Sequence, residues 1–367
     1  MNILHITNHL DVGGITSYVL TLASGLKKKG HNVYVASSGG ERLIKFQEAG
    51  IAYIPIPIRT KKEISSGIIL SAIKLSGIIK KQKIDIIHTH SRTTQVLSCL
   101  LHKFTGARRI FTCHGFFKRR LLRRIFPCWG EGIIAISGQV KEHLTRDFKV
   151  PDKNIAVVNN GIDLDRFKAA ALRPKAQMKK NLGLSDEPVI GIIARLSDVK
   201  GHKYLITAMR QVLDKYPASQ LLIVGTGKMQ NELIGLTGKL GIAKNVFFVP
   251  EIPDTTEALA ALDIFVMPSL QEGLGLALME AMAAGLAVIG SNVGGIRTLI
   301  QNGQNGLLVN PADSEELAAA ILTLLSDHAK RAELGRQAQD FIQNNFSQDK
   351  MVRETEKEYL RCLETKD

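Results

Sequence analysis

Two carboxylates, two cations and a set of glycines stand at spacings that could serve a site for an anionic or hydroxyl-bearing ligand. Glu272 and Glu280 bracket the segment Glu272-Gly-Leu-Gly-Leu-Ala-Leu-Met-Glu280. Glu272 falls in a loop after the apolar run Ile264–Met267, and Gly273 and Gly275 open a helix whose free N–H groups can meet a phosphate or a sugar. A carboxylate in such a loop can accept hydrogen bonds from hydroxyls. Glu280, on an otherwise apolar helix, needs a partner, because an unpaired buried charge is costly. Arg195 and Lys200 flank the loop after the apolar run Val189–Ala194. Arginine grips phosphate in bidentate fashion and lysine acts as a point charge. Gly13-Gly14 opens the first helical pattern and leaves backbone N–H groups free for an anion, although the same pair serves equally well as an ordinary turn.

Other constellations carry less. Gly225-Thr-Gly-Lys228 lacks the third glycine of GxGxxG and does not fit GxxxxGK[ST], so it reads as a strand-to-helix turn. Asp163-Leu-Asp165 has a metal-binding spacing but lies among turn residues. Cys113-His114 suggests a thiol with a base, yet neighbours at a strand end point to opposite faces, so Cys113 reads as a small core residue. His88 and His90 have ligand-like spacing on a strand. With no acidic residue or third histidine beside them in sequence, a cleft edge or simple packing is the reading over a metal.

The elements that position these residues alternate. Apolar runs at Asn2–Thr7, Asn32–Val35, Ile84–His88, Arg109–Thr112 and Gly132–Ile136 are separated by helical patterns. The alternation restarts at Val189–Ala194 and continues through Leu221–Val224, Val246–Val249, Ile264–Met267, Ala287–Ile289 and Gly306–Val309. Buried parallel strands read as continuous apolar runs, so the pattern predicts two Rossmann-like domains in tandem. Between them the polar, basic stretch from Arg173 to Lys180, ending at Asp186-Glu-Pro188, reads as the link. In open parallel sheets ligands bind beyond the carboxyl ends of the strands. His9–Gly14, His114-Gly115, Arg195–Gly201, Gly225–Gly227 and Ser269–Gly275 all fall there.

The chain has 367 residues, 45% hydrophobic and 22% charged, which suits two globular domains and excludes a disordered or fibrous chain. Four scattered cysteines exclude a disulfide scaffold, and no CxxC pair suggests structural zinc. Neither a secretory signal nor an apolar window of about 18 residues is present, so a cytoplasmic location is expected. The formal charge of +14 is uneven. Residues 1–170 hold 27 Lys and Arg against 11 Asp and Glu, whereas the remainder holds 21 against 23. The first half therefore faces something anionic. Much of its charge sits in Phe116-Phe-Lys-Arg-Arg-Leu-Leu-Arg-Arg-Ile-Phe-Pro-Cys-Trp129. At about 100° per residue, Phe117, Leu121, Leu122, Ile125 and Phe126 share one face and Arg119, Arg120, Arg123 and Arg124 the other. With Lys118, this predicts a basic amphipathic helix at a membrane surface.

Taken together, the Glu272/Glu280 spacing, the Arg195 and Lys200 pair, Gly13-Gly14 and Asn160-Gly-Ile-Asp163 resemble the retaining glycosyltransferases of family 4, across nearly the whole chain. The resemblance implies the GT-B fold: α/β, with two Rossmann-like β/α/β domains facing across a cleft. Residues 1–165 would bind the acceptor and residues 172–346 the nucleotide sugar, with 347–367 returning to the first domain. It implies that Arg195 and Lys200 hold the departing diphosphate and that Glu280 binds the ribose hydroxyls. Glu272 would touch the sugar ring, with Gly273, Gly275 and Leu276 around sugar and phosphate. Gly13 and Gly14 join the donor site, and His114 is the histidine near the sugar. By the same resemblance the reaction retains configuration and needs neither metal nor cofactor, since two cations and a helix N-terminus can neutralise a diphosphate. The expected donor is a UDP-sugar, and the expected acceptor a cell-envelope glycan or lipid-linked precursor at the inner face of the membrane. The rivals are a nucleotide-sugar epimerase of the same fold and a nucleic-acid-binding protein. The latter is disfavoured by an aromatic content of only 5%.

Overall fold

The computed structural model describes residues 1–59, 65–117, 123, 125–250, 252 and 254–364. The chain divides into two compact units, Met1–Ile162 with Gln348–Asp367, and Asp163–Ser347.

In the first unit, β1 (Asn2–Ile6), β2 (Asn32–Ser37), β3 (Ala52–Pro55), β4 (Ile86–Thr89), β5 (Arg108–Cys113), β6 (Gly132–Ala135) and β7 (Ile155–Val157) form one sheet ordered β3-β2-β1-β4-β5-β6-β7. Every pairing is parallel. The two strands that sequence periodicity does not reveal, β3 and β7, are the two edges. An edge strand is paired on one side only and tolerates proline, so it lacks the long apolar run of a central strand. The last helix, Gln348–Glu364, belongs to this unit. Its Met351, Val352, Tyr359 and Cys362 enter the same core as Ile3, Val19 and Leu22. Its polar side is tied down by Glu356, which accepts from Lys29 at 2.5 Å and meets His31 at 2.8 Å.

In the second unit, β8 (Val189–Ile193), β9 (Gln220–Val224), β10 (Val246–Val249), β11 (Ile264–Met267), β12 (Ala287–Ser291) and β13 (Leu307–Val309) form a parallel sheet ordered β10-β9-β8-β11-β12-β13. The stretch read as a link is instead helix Lys175–Asn181, packed inside this unit. Lys179 is buried, yet its ammonium donates to Asp186 O at 3.1 Å and Glu187 O at 2.7 Å and pairs with Asp263 at 3.2 Å. Polar composition alone could not show that this lysine folds its stem inward onto three oxygens.

Both strand orders reverse direction once, between β1 and β4 and between β8 and β11. At such a switch point adjacent loops diverge and open a crevice at the carboxyl ends of the strands. Among the described residues no helix is long and apolar enough to cross a membrane.

Candidate active site

The second unit gathers its charged residues at the β8/β11 switch point. Lys200 ends the turn Asp198–Lys200 that follows β8, and its ammonium is in direct contact with the Glu272 carboxylate. The glycine after it lets this turn pack against the chain just past β11. Gly201 has φ +72° and starts helix His202–Lys215, and a Cβ there would stand 1.9 Å from Pro268 O. Arg195, beside the same turn, is exposed. On the other side, Glu272 accepts from Gly273 N at 3.1 Å, and Gly275 (φ +94°) begins helix Leu276–Ala283 without a side-chain cap. The first N–H groups of that helix are therefore available to an anion. Glu280 lies within the helix and accepts from Thr255 Oγ1 at 2.9 Å, the partner its position required. Lys200, Glu272 and the helix start thus form one cluster, while Glu280 lies further along the helix.

Sequence reasoning passed over one part of this site. Gly294 and Gly295, in the loop after β12, back directly onto the Glu272 loop. A Cβ on Gly294 would lie 2.2 Å from Glu272 O, one on Gly295 would lie 2.1 Å from Gly273 O, and Gly295 N donates to Glu272 O at 3.0 Å. A glycine pair just past an apolar strand was the available signal, the same one that marks Gly13-Gly14. Gly225-Thr-Gly227 proves to be a packing turn, since Leu196 N donates to Thr226 O at 2.9 Å and Lys228 pairs with Asp198 at 2.8 Å.

In the first unit, helix Gly14–Lys28 starts at Gly13, also without a side-chain cap and with open space around the glycine. Beside it, at the β1/β4 switch point, four imidazoles meet. Register pairs His5 of β1 with His88 of β4. His5 Nδ1 lies 3.1 Å from His90 Nε2, and His90 Nδ1 lies 3.2 Å from His114 Nε2. His88 is held separately, by Tyr359 Oη at 2.6 Å and Thr112 Oγ1 at 2.7 Å. Burial holds His5 and His114 down to about 3, and it holds His88 and His90 well below the ordinary histidine value, the neighbouring imidazoles adding to the effect. All four are neutral near pH 7.

The third histidine that the sequence did not place beside His88 and His90 is therefore present: His5, His88 and His90 offer ligand atoms within 4.8 Å of one another. Sequence separation hid it, because β1 and β4 become neighbours only through the sheet order. As a metal centre the set is poor in charge. Both nitrogens of His88 are already partnered, and among the described residues no carboxylate shares these hydrogen bonds, so a buried dication would lack a counter-charge. Cys113 is inert, its thiol donating to Gly115 O at 3.2 Å while burial raises it to about 12.

The basic segment departs from its sequence reading at Arg123. This arginine is only 8% exposed, with its guanidinium 3.8 Å from the Phe117 ring centroid, whereas Ile125 and Phe126 are 70% and 55% exposed. The helical wheel put Arg123 outside and those two inside. A cation–π site built by Phe117 and Phe148 reverses the assignment. Lys118, Arg119, Arg120 and Arg124 lie outside the described residues.

Residues 174–341 match the family model for glycosyl transferases group 1, and residues 12–166 match that for Glycosyltransferase Family 4. An uncharacterised glycosyltransferase of Methanocaldococcus jannaschii is 28% identical, over 96% of this chain and 95% of its own length. The UDP-Gal:α-D-GlcNAc-diphosphoundecaprenol α-1,3-galactosyltransferase of Escherichia coli is 29% identical over 81% and 80%. Among solved structures, the Anabaena protein HepE in complex with UDP-glucose superposes with a TM-score of 0.86 at 22% identity, covering 97% and 98% of the two chains. The chain has the α/β architecture of GT-B glycosyltransferases and belongs to the group 1 glycosyltransferases, glycosyltransferase family 4.

Proposed function

We propose that the chain transfers a sugar from a nucleotide-sugar donor, with retention of anomeric configuration and without a metal, and that the donor is a UDP-sugar. The observation that carries this reading is the cluster at the β8/β11 switch point, where Lys200, Glu272 and the uncapped start of helix Leu276–Ala283 come together. In the ligand-free protein Lys200 and Glu272 neutralise each other. A diphosphate entering there takes over the ammonium, with Arg195 adding a second cation, and the freed Glu272 carboxylate accepts from sugar hydroxyls. Glu280, steadied by Thr255, binds the ribose hydroxyls. As the glycosidic bond to the diphosphate breaks, negative charge grows on the leaving oxygen. Two fixed cations and oriented N–H groups stabilise it, the service a metal supplies elsewhere. By the family resemblance alone, Gly13 and Gly14 are assigned to donor binding and His114 to the sugar. The UDP assignment is supported by the donor named for the Escherichia coli relative and by the ligand of the Anabaena structure.

The acceptor we propose is a lipid-linked or cell-envelope glycan met at a membrane surface. Support comes from the excess of cations in residues 1–170 and from helix Ser66–Lys81, which exposes Ile69, Leu70 and Ile73 beside Lys74. A labelled-sugar transfer assay with polyprenyl-diphosphate-linked acceptors, run in EDTA, tests the reading. Transfer to an α-configured product in EDTA is expected. Activity restored only by a divalent ion, or a β-configured product, would refute it.

A further inference from the structure

Each of the three histidines His5, His90 and His114 is neutral, so each has one N–H and one lone pair, and each link between them joins an Nδ1 to an Nε2. A chain built this way has only two consistent proton arrangements. In one, every proton points outward: His5 Nδ1–H donates to His90 Nε2, His90 Nδ1–H donates to His114 Nε2, and His114 Nδ1–H is left to donate. In the other, every proton points inward, His114 Nδ1 is a bare acceptor, and His5 Nε2 carries the last proton. His5 Nε2 is buried without a partner. The inward arrangement therefore strands a buried N–H, while the outward one strands only a lone pair, and orphaned buried N–H groups are the rarer of the two in proteins.

The rings also have little room to turn over. His90 is 2% exposed, stacked against His5 at 5.3 Å between centroids and tilted against His88 at 4.3 Å, and the Tyr18 ring meets His114 edge-on at 4.7 Å. The titratable groups facing the chain are His88 and Tyr18, with Tyr359 behind His88, all of them uncharged near pH 7. Among the described residues His114 Nδ1 has no protein partner.

We infer that His5 and His90 are positioning residues: through the two imidazole–imidazole hydrogen bonds they fix His114 as its Nδ1–H tautomer, so that it presents a hydrogen-bond donor to an oxygen of the bound substrate. Isolated neutral histidine in water favours the Nε2–H form, so the chain holds His114 in the tautomer it would otherwise populate less. The substrate oxygen rests on the transferase reading above; the tautomer does not.

The test is long-range nitrogen–proton NMR on histidine-labelled full-length protein at pH 7.5, for wild type, His90→Asn and His90→Phe. The wild type is expected to show His114 with Nδ1 protonated and Nε2 bare. Asn places an amide N–H close to where His90 Nδ1–H lies, so His90→Asn should keep that tautomer, and His90→Phe should let His114 revert to Nε2–H. Transfer kinetics form the second arm. His90→Phe should lower kcat roughly 100- to 1,000-fold, the scale of losing one donor to a reacting oxygen, with donor KM little changed and Asn recovering most of the loss. A wild-type His114 protonated on Nε2 overturns the inference, as does a His114 tautomer unmoved by His90→Phe. If His90→Phe does not fold, the wild-type and Asn spectra still decide. Unchanged activity in His114→Ala would instead remove His114 from the transferase reading and leave the tautomer result standing.

Discussion

Acidifying the protein from pH 7 to pH 5 should destabilise the first unit well before its carboxylates begin to protonate. The sign follows from burial. His5 is held at about 3 in the folded chain and returns to about 6.5 on unfolding, so below pH 6.5 the unfolded state takes up a proton that the folded state refuses. The stability this histidine contributes is full above pH 6.5 and is lost as pH falls toward 3. At pH 5 the loss from His5 alone is about 2 kcal/mol, since each pH unit is worth about 1.4 kcal/mol per proton. His114, also held at about 3, loses stability in the same direction, and His88 and His90 add to it. Against a typical domain stability of about 5–15 kcal/mol, that is a large share of what holds the unit folded at pH 5. Trp129 is the chain's single tryptophan and lies in this unit, so its fluorescence in guanidinium titrations reports on the first unit alone. Two or more protons should be taken up on unfolding between pH 6 and pH 5, and one fewer in His5→Phe. A transition midpoint that stays constant from pH 7 to pH 5 would show that these imidazoles are not buried and neutral as described.

Three further substitutions probe the scaffold and the donor site. Tyr359→Phe strips His88 Nδ1 of its 2.6 Å partner and should cost about 1–3 kcal/mol in the same fluorescence titration; an unchanged midpoint would mean that the closing helix does not use this bond. Gly201→Ala puts a Cβ 1.9 Å from Pro268 O at φ +72°, so more than the roughly 1–2 kcal/mol of a left-handed alanine should be lost, read as a lower calorimetric transition for the second unit. Lys200→Ala removes a charge-assisted contact to the diphosphate and should weaken nucleotide-sugar binding about 10- to 100-fold by calorimetry; equal affinity in mutant and wild type would place the diphosphate elsewhere.

The central strands and the glycine-led helix starts were legible because buried parallel strands and uncapped helices leave local signatures. What was not legible depended on contacts far apart in sequence. The His5–His90 link joins β1 to the residue just after β4, strands that touch only because the sheet reverses order at β1, and Tyr359 reaches His88 from the final helix. The Arg123 reversal arose because a helical wheel ranks residues by polarity, whereas the phenylalanine pair offers a guanidinium a better place than water. Lys179 was misjudged for a similar reason, its charge being met by backbone oxygens that composition does not show. Conversely, the direct contact of Lys200 with Glu272 joins residues that the sequence marked separately.

The most direct test of the donor site is a thermal-shift panel of UDP, GDP, ADP and their sugars, run in EDTA on wild type and Glu280→Ala. Ligand at about 100 times its Kd should add about 2.7 kcal/mol to the folded state. A rise in Tm with uridine nucleotides that Glu280→Ala abolishes is the expected result. A shift of equal size in the mutant, or one that appears only when a divalent metal is added, would contradict the assignment of Glu280 to the ribose and of Arg195 and Lys200 to the diphosphate.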